Sequence, residues 1–142
     1  MCAKTIPILR KTSYDFTSLG SSAEQTIVIV PAIDVAAYYR ADLHIRIHAN
    51  GMSASQLVHF ELNPTLPSDE DPAEFLERDG TGAPIAIATL DIDNGDSAPL
   101  ALSTSGTGLG AALRVQFTAT QSGIAGTPFF IELSGVLILR NF

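Results

Sequence analysis

Apolar and polar side chains alternate along several stretches of the chain, which is the pattern of half-buried β-strands. Residues 43–48 read LHIRIH, and the same two-residue period recurs at 58–62 and 113–119. Successive side chains of a strand point to opposite faces, so each run places its large apolar groups on one face. We expect three strands with one face against a core and the other in water.

Further runs rich in β-forming residues have fewer polar interruptions. They lie at residues 26–30, 85–90 and 129–139. This composition is typical of strands covered on both faces, either within the fold or by another subunit. A weaker run at 5–9 contains Pro7, which has no amide hydrogen and is therefore expected at a sheet edge or a strand start. Residues 1–11 are a candidate N-terminal arm.

Clusters of Pro, Gly, Ser, Asn and Asp separate these runs. They lie at residues 18–22, 50–55, 63–71, 79–84, 93–99, 103–110 and 121–128. Short strands at this spacing predict an all-β sandwich or barrel. Because several connections are long, we expect a single-domain antiparallel β-sandwich of the jelly-roll type over residues 1–142.

Only one segment has the signature of a helix, at residues 72–78. Asp71 is placed to cap it, Pro72 occupies the first helical position, and Glu74 completes a capping box. The six carboxylates within 69–79 would then form a solvated helix face rather than a catalytic pair. A helical turn or a bend is expected at 35–39.

Composition and charge narrow the possible partners. The chain has 142 residues, of which 46% are hydrophobic and 16% charged, which excludes a mostly disordered protein. Its net charge of −7 argues against binding to nucleic acid or to an anionic membrane. No apolar run is long enough to span a membrane, and the N-terminus has no signal-peptide pattern. The single cysteine, Cys2, has no partner for an internal disulfide.

The three histidines are the first candidates for a metal site. His44 and His48 share a strand face but lie ~13 Å apart along it, too far for one zinc ion. His59 and Glu61 could join one of them only in a strand register that the sequence does not reveal. The default interpretation is three surface histidines.

A turn rich in aspartate is a weak candidate for a calcium site. Asp91, Asp93 and Asp96 offer oxygen ligands, but the spacing departs from that of a helix-flanked calcium loop. Asn94 and Gly95 form a strong hairpin signal, so a hairpin turn is the preferred interpretation. We predict no bound metal.

Catalytic machinery is not evident in the sequence. The glycine-rich segment 106–110 lacks the strand, helix and lysine of a phosphate-binding loop, and is interpreted as a flexible loop. None of the usual nucleophile or metal-hydrolase motifs occurs, and the chain has no tryptophan for a sugar-stacking platform. We predict a protein that is not an enzyme and has no cofactor.

In its overall pattern the chain resembles small β-sandwich structural proteins of tailed bacteriophages, of the capsid decoration or head and tail accessory type. The resemblance rests on the strand at 43–48, the SDEDPAEF segment after Asn63 and Pro64, and the apolar last strand ending at 137–140. It implies self-association or attachment to a capsid lattice, with no catalytic residues.

Two functions follow as expectations. The first is a non-enzymatic structural protein that forms a homo-oligomer, contacts other capsid or particle proteins, and resides in a virion or another assembled particle, or otherwise in the cytoplasm. Its contacts would be residues 3–11, the C-terminal strand and the long loops. The alternative is a carbohydrate- or small-ligand-binding module whose site combines Tyr38, Tyr39 and the turn 91–96.

Overall fold

The protein is built of two antiparallel β-sheets. The computed structural model describes residues 3–66 and 76–141. Eight strands follow one another along the chain: β1 (Ala3–Asp15), β2 (Ala23–Asp34), β3 (Arg40–Gly51), β4 (Gln56–Thr65), β5 (Ala88–Ile92), β6 (Leu100–Thr107), β7 (Ala112–Gln121) and β8 (Phe130–Arg140). Sheet A has the order β1-β8-β3-β6 and sheet B the order β2-β7-β4-β5. The predicted all-β, two-layer class is confirmed.

The alternating pattern places each strand as expected. The runs at 43–48, 58–62 and 113–119 lie in β3, β4 and β7, and their large apolar side chains are buried between the sheets. The C-terminal strand β8 also alternates, with buried Ile131 and Leu133 on one face and half-buried side chains on the other. The prediction that 129–139 is covered on both faces is therefore wrong for the protomer.

The strand β6 was missed because its sequence is typical of a loop. Residues 103–110 were expected to form a connection, yet β6 continues to Thr107 and pairs with β3. Gly106 is required in this strand because a Cβ there would lie 2.6 Å from the carbonyl oxygen of Ile87. Pairing with a neighbouring strand and close backbone packing outweigh the low strand propensity of serine and glycine.

The predicted helix at 72–78 is wrong over the part that the structure describes. Leu76 forms an antiparallel bridge with Thr65, and Arg78 forms one with Pro84. The capping residues Asp71, Pro72 and Glu74, and four of the six carboxylates within 69–79, lie outside the described residues. Beside the end of β4, the Glu77 amide also donates to the Pro64 carbonyl at 3.0 Å, so residues 76 and 77 pair with a strand instead of continuing a helix.

The connections lie at two ends of the sandwich. We call one of them the first end. It carries the β2–β3, β4–β5 and β6–β7 connections together with both ends of the described chain. The other four connections lie at the opposite end, which we call the second end.

The bend predicted at 35–39 is present, with the Tyr38 amide donating to the Val35 carbonyl at 2.9 Å. Asn94 and Gly95 do form a turn, but it joins β5 in sheet B to β6 in sheet A and is not a hairpin.

Aromatic rings fill the core near the second end. The Phe117 ring lies 5.1 Å from both Tyr14 and Phe60, and Phe16 packs edge-on against Phe129 at 5.3 Å. Such edge-to-face contacts add to the gain from burying large apolar surfaces. This cluster joins side chains from both sheets and from the β1–β2 and β7–β8 connections.

The two chain ends take different positions in sheet A. The candidate arm is part of β1, an edge strand that pairs with β8 of the same chain from Ala3 to Asp15. The C-terminal strand β8 lies between β1 and β3 and is hydrogen-bonded on both sides. Its backbone is therefore not available to pair with another chain. Among residues 3–66 and 76–141, no helix has the length and apolar character to cross a membrane.

Replacing Phe117 by alanine tests the core. The ring is fully buried and contacts three other aromatic rings, so its loss should lower the free energy of unfolding by about 3–5 kcal/mol. Thr120→Ala, on the outer face of the same strand, should cost less than about 1 kcal/mol. Urea unfolding followed by circular dichroism measures both, and equal losses would contradict this description of the core.

Candidate functional site

Three charged residues form a compact cluster on the outer face of sheet A, at its first end. The Nε atom of Arg40 donates to Oδ1 of Asp42 at 2.6 Å, and Nε of Arg140 donates to Oδ2 of the same carboxylate at 2.7 Å. Strand register explains the meeting, because Arg40 of β3 lies directly opposite Arg140 of β8. We call Arg40, Asp42 and Arg140 the arginine–aspartate cluster.

Its two partners cover the Asp42 carboxylate, leaving that side chain only 7% exposed. Burial by itself raises the pKa of Asp42, but the hydrogen bonds and positive charges of Arg140 and Arg40 outweigh it and hold the pKa below its usual value. Asp42 is thus ionised at neutral pH, and the cluster carries a net charge of one positive unit.

A shallow depression of about 310 Å³ adjoins the cluster. Besides the three cluster residues, its lining comprises His44, Ser103, Thr104 and Ser105. The hydroxyls of Ser103 and Ser105 are on the exposed face of β6, and Nη2 of Arg40 reaches Ser105 Oγ at 3.5 Å. The depression therefore brings hydrogen-bond donors from β3, β6 and β8 to one place.

The opposite outer face, on sheet B, holds a second charged group centred on His59. Asp91 is its register partner on β5, and the Nδ1 atom of the ring is hydrogen-bonded to that carboxylate. On the other side, Nε2 lies 3.1 Å from Oε1 of Glu61. Burial lowers the pKa of His59, but the two carboxylates outweigh that effect and raise it.

The remaining histidines are not near His59. His44 and His48 lie on the outer face of sheet A, where His48 Nε2 is hydrogen-bonded to Ser134 at 2.8 Å. A site combining them with His59 and Glu61 is therefore not formed. In the part of the chain that the structure describes, no three His, Cys, Asp or Glu side chains are grouped to hold a metal ion.

The aspartates of the calcium candidate serve other contacts. Asp93 accepts the amide of Gly95 at 2.8 Å, and Asp96 accepts the amide of Asp93 at 2.9 Å. Asp91 faces His59. Their carboxylates therefore close a turn and pair with a histidine, and the structure does not bring them together around one point.

The ligand site expected from Tyr38, Tyr39 and the turn 91–96 is likewise not assembled. The tyrosines lie at the first end, where the Tyr39 amide donates to the Arg140 carbonyl at 2.8 Å. The turn lies at the second end, where the side-chain Nδ2 of Asn50 donates to the backbone carbonyls of Asp93 and Asp96 at 2.9 Å. A strand of ten residues separates the ends by ~33 Å.

The sequence pairs His59 with Glu61 but does not predict Asp91 beside them, and it does not predict the arginine–aspartate cluster. Arg40 and Asp42 share a strand face, which their spacing of two could have shown, but Arg140 joins them only through the β3–β8 register. His59 and Asp91 are separated by the long β4–β5 connection, so no local pattern relates them.

Comparisons with known proteins show similarity of fold only. No protein-family model matches the chain, and no curated protein sequence matches it. The crystal structure of the infectious bursal disease virus VP2 subviral particle aligns with 99% of this chain at 11% identity and a TM-score of 0.53. A structure of the Gt strain of that virus aligns with 99% of this chain at 10% identity and a TM-score of 0.58.

This chain spans about one third of the length of those viral chains, which are covered to 33% and 32%. At such low identity the similarity establishes that a two-sheet domain of this kind occurs in a protein of a viral particle. It assigns no residue a role.

Removing the Asp42 charge tests the arginine–aspartate cluster. Asp42→Asn should lower the free energy of unfolding by about 1–3 kcal/mol at neutral pH, because one arginine loses its acceptor and the other donates to a neutral oxygen instead of a carboxylate. Because the pKa of Asp42 is lower in the folded state, its carboxylate stabilises the fold fully at pH values above the unfolded pKa of ~3.9. This contribution is lost as the pH falls through the folded pKa. The difference in the free energy of unfolding between Asp42→Asn and the wild type, measured by urea unfolding, should therefore decrease in acid. Exposed Glu24→Gln is the control and should change stability by less than about 0.5 kcal/mol.

The raised pKa of His59 predicts a pH-dependent stability. The folded state holds the proton more tightly, so this stabilisation is fully present below the unfolded pKa of ~6.5 and is lost as the pH rises through the folded value. Urea unfolding between about pH 6 and about pH 8.5 should show His59→Gln losing more stability at the lower pH. His44→Gln, on the other sheet, is the matched control. An identical pH profile for both variants would contradict the assignment.

Proposed function

We propose that this chain is a non-enzymatic structural protein that associates with copies of itself and with other proteins of an assembled particle. The proposed setting is a virion, with a capsid decoration or a head and tail accessory role. Apolar side chains exposed at both ends of the sandwich are the observation that carries the proposal.

Five large apolar side chains of the described residues are exposed, and the three most exposed lie in connections between strands. Ile124, in the β7–β8 connection at the second end, is 80% exposed, and Tyr39 and Leu66 at the first end are each 52% exposed. Single exposed apolar groups are ordinary on protein surfaces, but here they stand on loops of a chain whose mean hydropathy is +0.25. Contact with a neighbouring copy would remove this area from water.

The sheet edges are not the surface through which we propose that copies meet. β1 and β2 are long edge strands, one in each sheet, with exposed residues along much of their length. Pro7 in β1 and Pro31 in β2 limit open-ended pairing, as prolines do on natural sheet edges. We therefore propose that copies meet through loops and side chains rather than by continuing a sheet.

The strand order supports a jelly-roll interpretation. Except between β4 and β5, each connection passes from one sheet to the other, and the strands of each sheet are brought together from distant parts of the chain. Eight strands in two such sheets are the composition of the jelly rolls found in viral capsid and lectin domains. The fold similarity to chains of infectious bursal disease virus particles agrees with this interpretation.

Sedimentation tests self-association directly. At micromolar concentration the protein should sediment as a species larger than its 15.0 kDa protomer. Ile124→Ser should weaken association about tenfold or more, because an isoleucine side chain would no longer be buried at the contact.

Ala125→Ser is the matched control, since it adds the same hydroxyl at the adjacent exposed position while removing little apolar area. It should associate as the wild type does. The proposal would be refuted if the wild-type protein sediments only as a 15.0 kDa species and also fails to co-sediment with the particle of its source.

A further inference from the structure

The arginine–aspartate cluster leaves most of its hydrogen-bond donors unused. Both arginines contact Asp42 through Nε, which uses one of the five N–H donors of each guanidinium. Within the described residues, the hydrogen bonds of the terminal Nη groups comprise one 3.5 Å contact, from Arg40 to Ser105. The side chains of Arg40 and Arg140 are 50% and 39% exposed, so the free donors are accessible to solvent.

Asp42 makes the two arginines a fixed pair. A free arginine loses rotamer entropy when it binds a ligand, but these two are already held by short bonds to one buried carboxylate. Arg40 and Arg140 are register partners, so the pairing of β3 with β8 holds the backbones that carry the two side chains. A guanidinium presents its donors in a planar fork that matches the oxygens of carboxylate, sulfate and phosphate groups.

The local charge is opposite to that of the whole chain. The protein carries a net charge of −7, whereas the depression has two arginines and a single carboxylate, Asp42, among its lining residues. That carboxylate is already neutralised by its partners. Ser103 and Ser105 add neutral hydroxyl donors along one wall.

We propose that the depression formed by Arg40, Arg140, Ser103 and Ser105 is a binding site for an oxyanion group, namely a carboxylate, sulfate or phosphate. The terminal guanidinium donors hold the anion, and the serine hydroxyls complete its hydrogen bonds. Asp42 is a positioning residue that keeps the two guanidiniums in place. The site is independent of the proposed self-association, which rests on apolar loops.

The same cluster would also exist if it served only to tie β3 to β8, so the test must separate binding from stability. Nuclear magnetic resonance of the labelled protein is followed during titration with sodium sulfate, sodium phosphate or sodium acetate. Sodium chloride at matched ionic strength corrects for screening. We expect saturable shifts confined to amides near Arg40, Ser103, Ser105 and Arg140.

Two variants of Arg40 keep the Asp42–Arg140 bond and with it part of the cluster. Arg40→Gln removes the charge, and Arg40→Lys retains the charge but lacks the forked donors. Both should weaken oxyanion binding about tenfold or more. Arg46→Gln, six residues from Arg40 on the same exposed face of β3, removes one positive charge outside the cluster and should bind as the wild type does.

The absence of saturable shifts with all three anions would overturn the proposal, as would equal weakening by Arg46→Gln and Arg40→Gln. If Arg40→Gln lowers the unfolding temperature in chloride but leaves anion affinity unchanged, the cluster is purely structural and the proposal fails. A sulfated polysaccharide, heparin, distinguishes the source of the anion. Tighter binding of heparin than of sulfate at the same amides indicates a polymer-borne group, and equal binding indicates a free oxyanion.

Discussion

Packing of two alternating sheets against each other is the constraint on which the rest of the protein depends. Because one side chain in two points inward, the buried residues of β3, β4, β7 and β8 form a single apolar layer between the sheets. Phe117 and its aromatic neighbours fill the second end of that layer. The outward side chains are left free of this packing requirement, and the charged groups of the protein lie among them.

The two outer faces carry different charged groups. On sheet A, a carboxylate holds two arginines and leaves their outer donors free, which gives a locally positive surface. On sheet B, two carboxylates flank His59 and raise its pKa. The core separates these faces, so a ligand or a proton bound on one should have little direct effect on the other. Exposed apolar side chains in the connections at both ends form a third kind of surface, which we propose for contacts between copies.

Several errors of prediction have one cause, which is pairing between distant segments. The β6 strand has serine, threonine and glycine where a loop is expected, yet its register with β3 makes it a sheet edge. Leu76 and Arg78 belong to a segment with helix-capping signals, but they form β-bridges with Thr65 and Pro84. The turn at Asn94 and Gly95 has hairpin chemistry but joins the two sheets. In each case the prediction followed a local sequence pattern, and pairing with a segment elsewhere in the chain determined the observed structure.

The sequence by itself determined the all-β class, most strand positions and the division of each strand into an apolar and a polar face, because all of these follow from a two-residue period that is local. Only the tertiary structure decided which polar residues meet. Asp42 and Arg140 are 98 positions apart, and His59 and Asp91 are 32 apart. Each pair is made by strand register, which depends on the packing of whole sheets and leaves no signal in the residues near either partner.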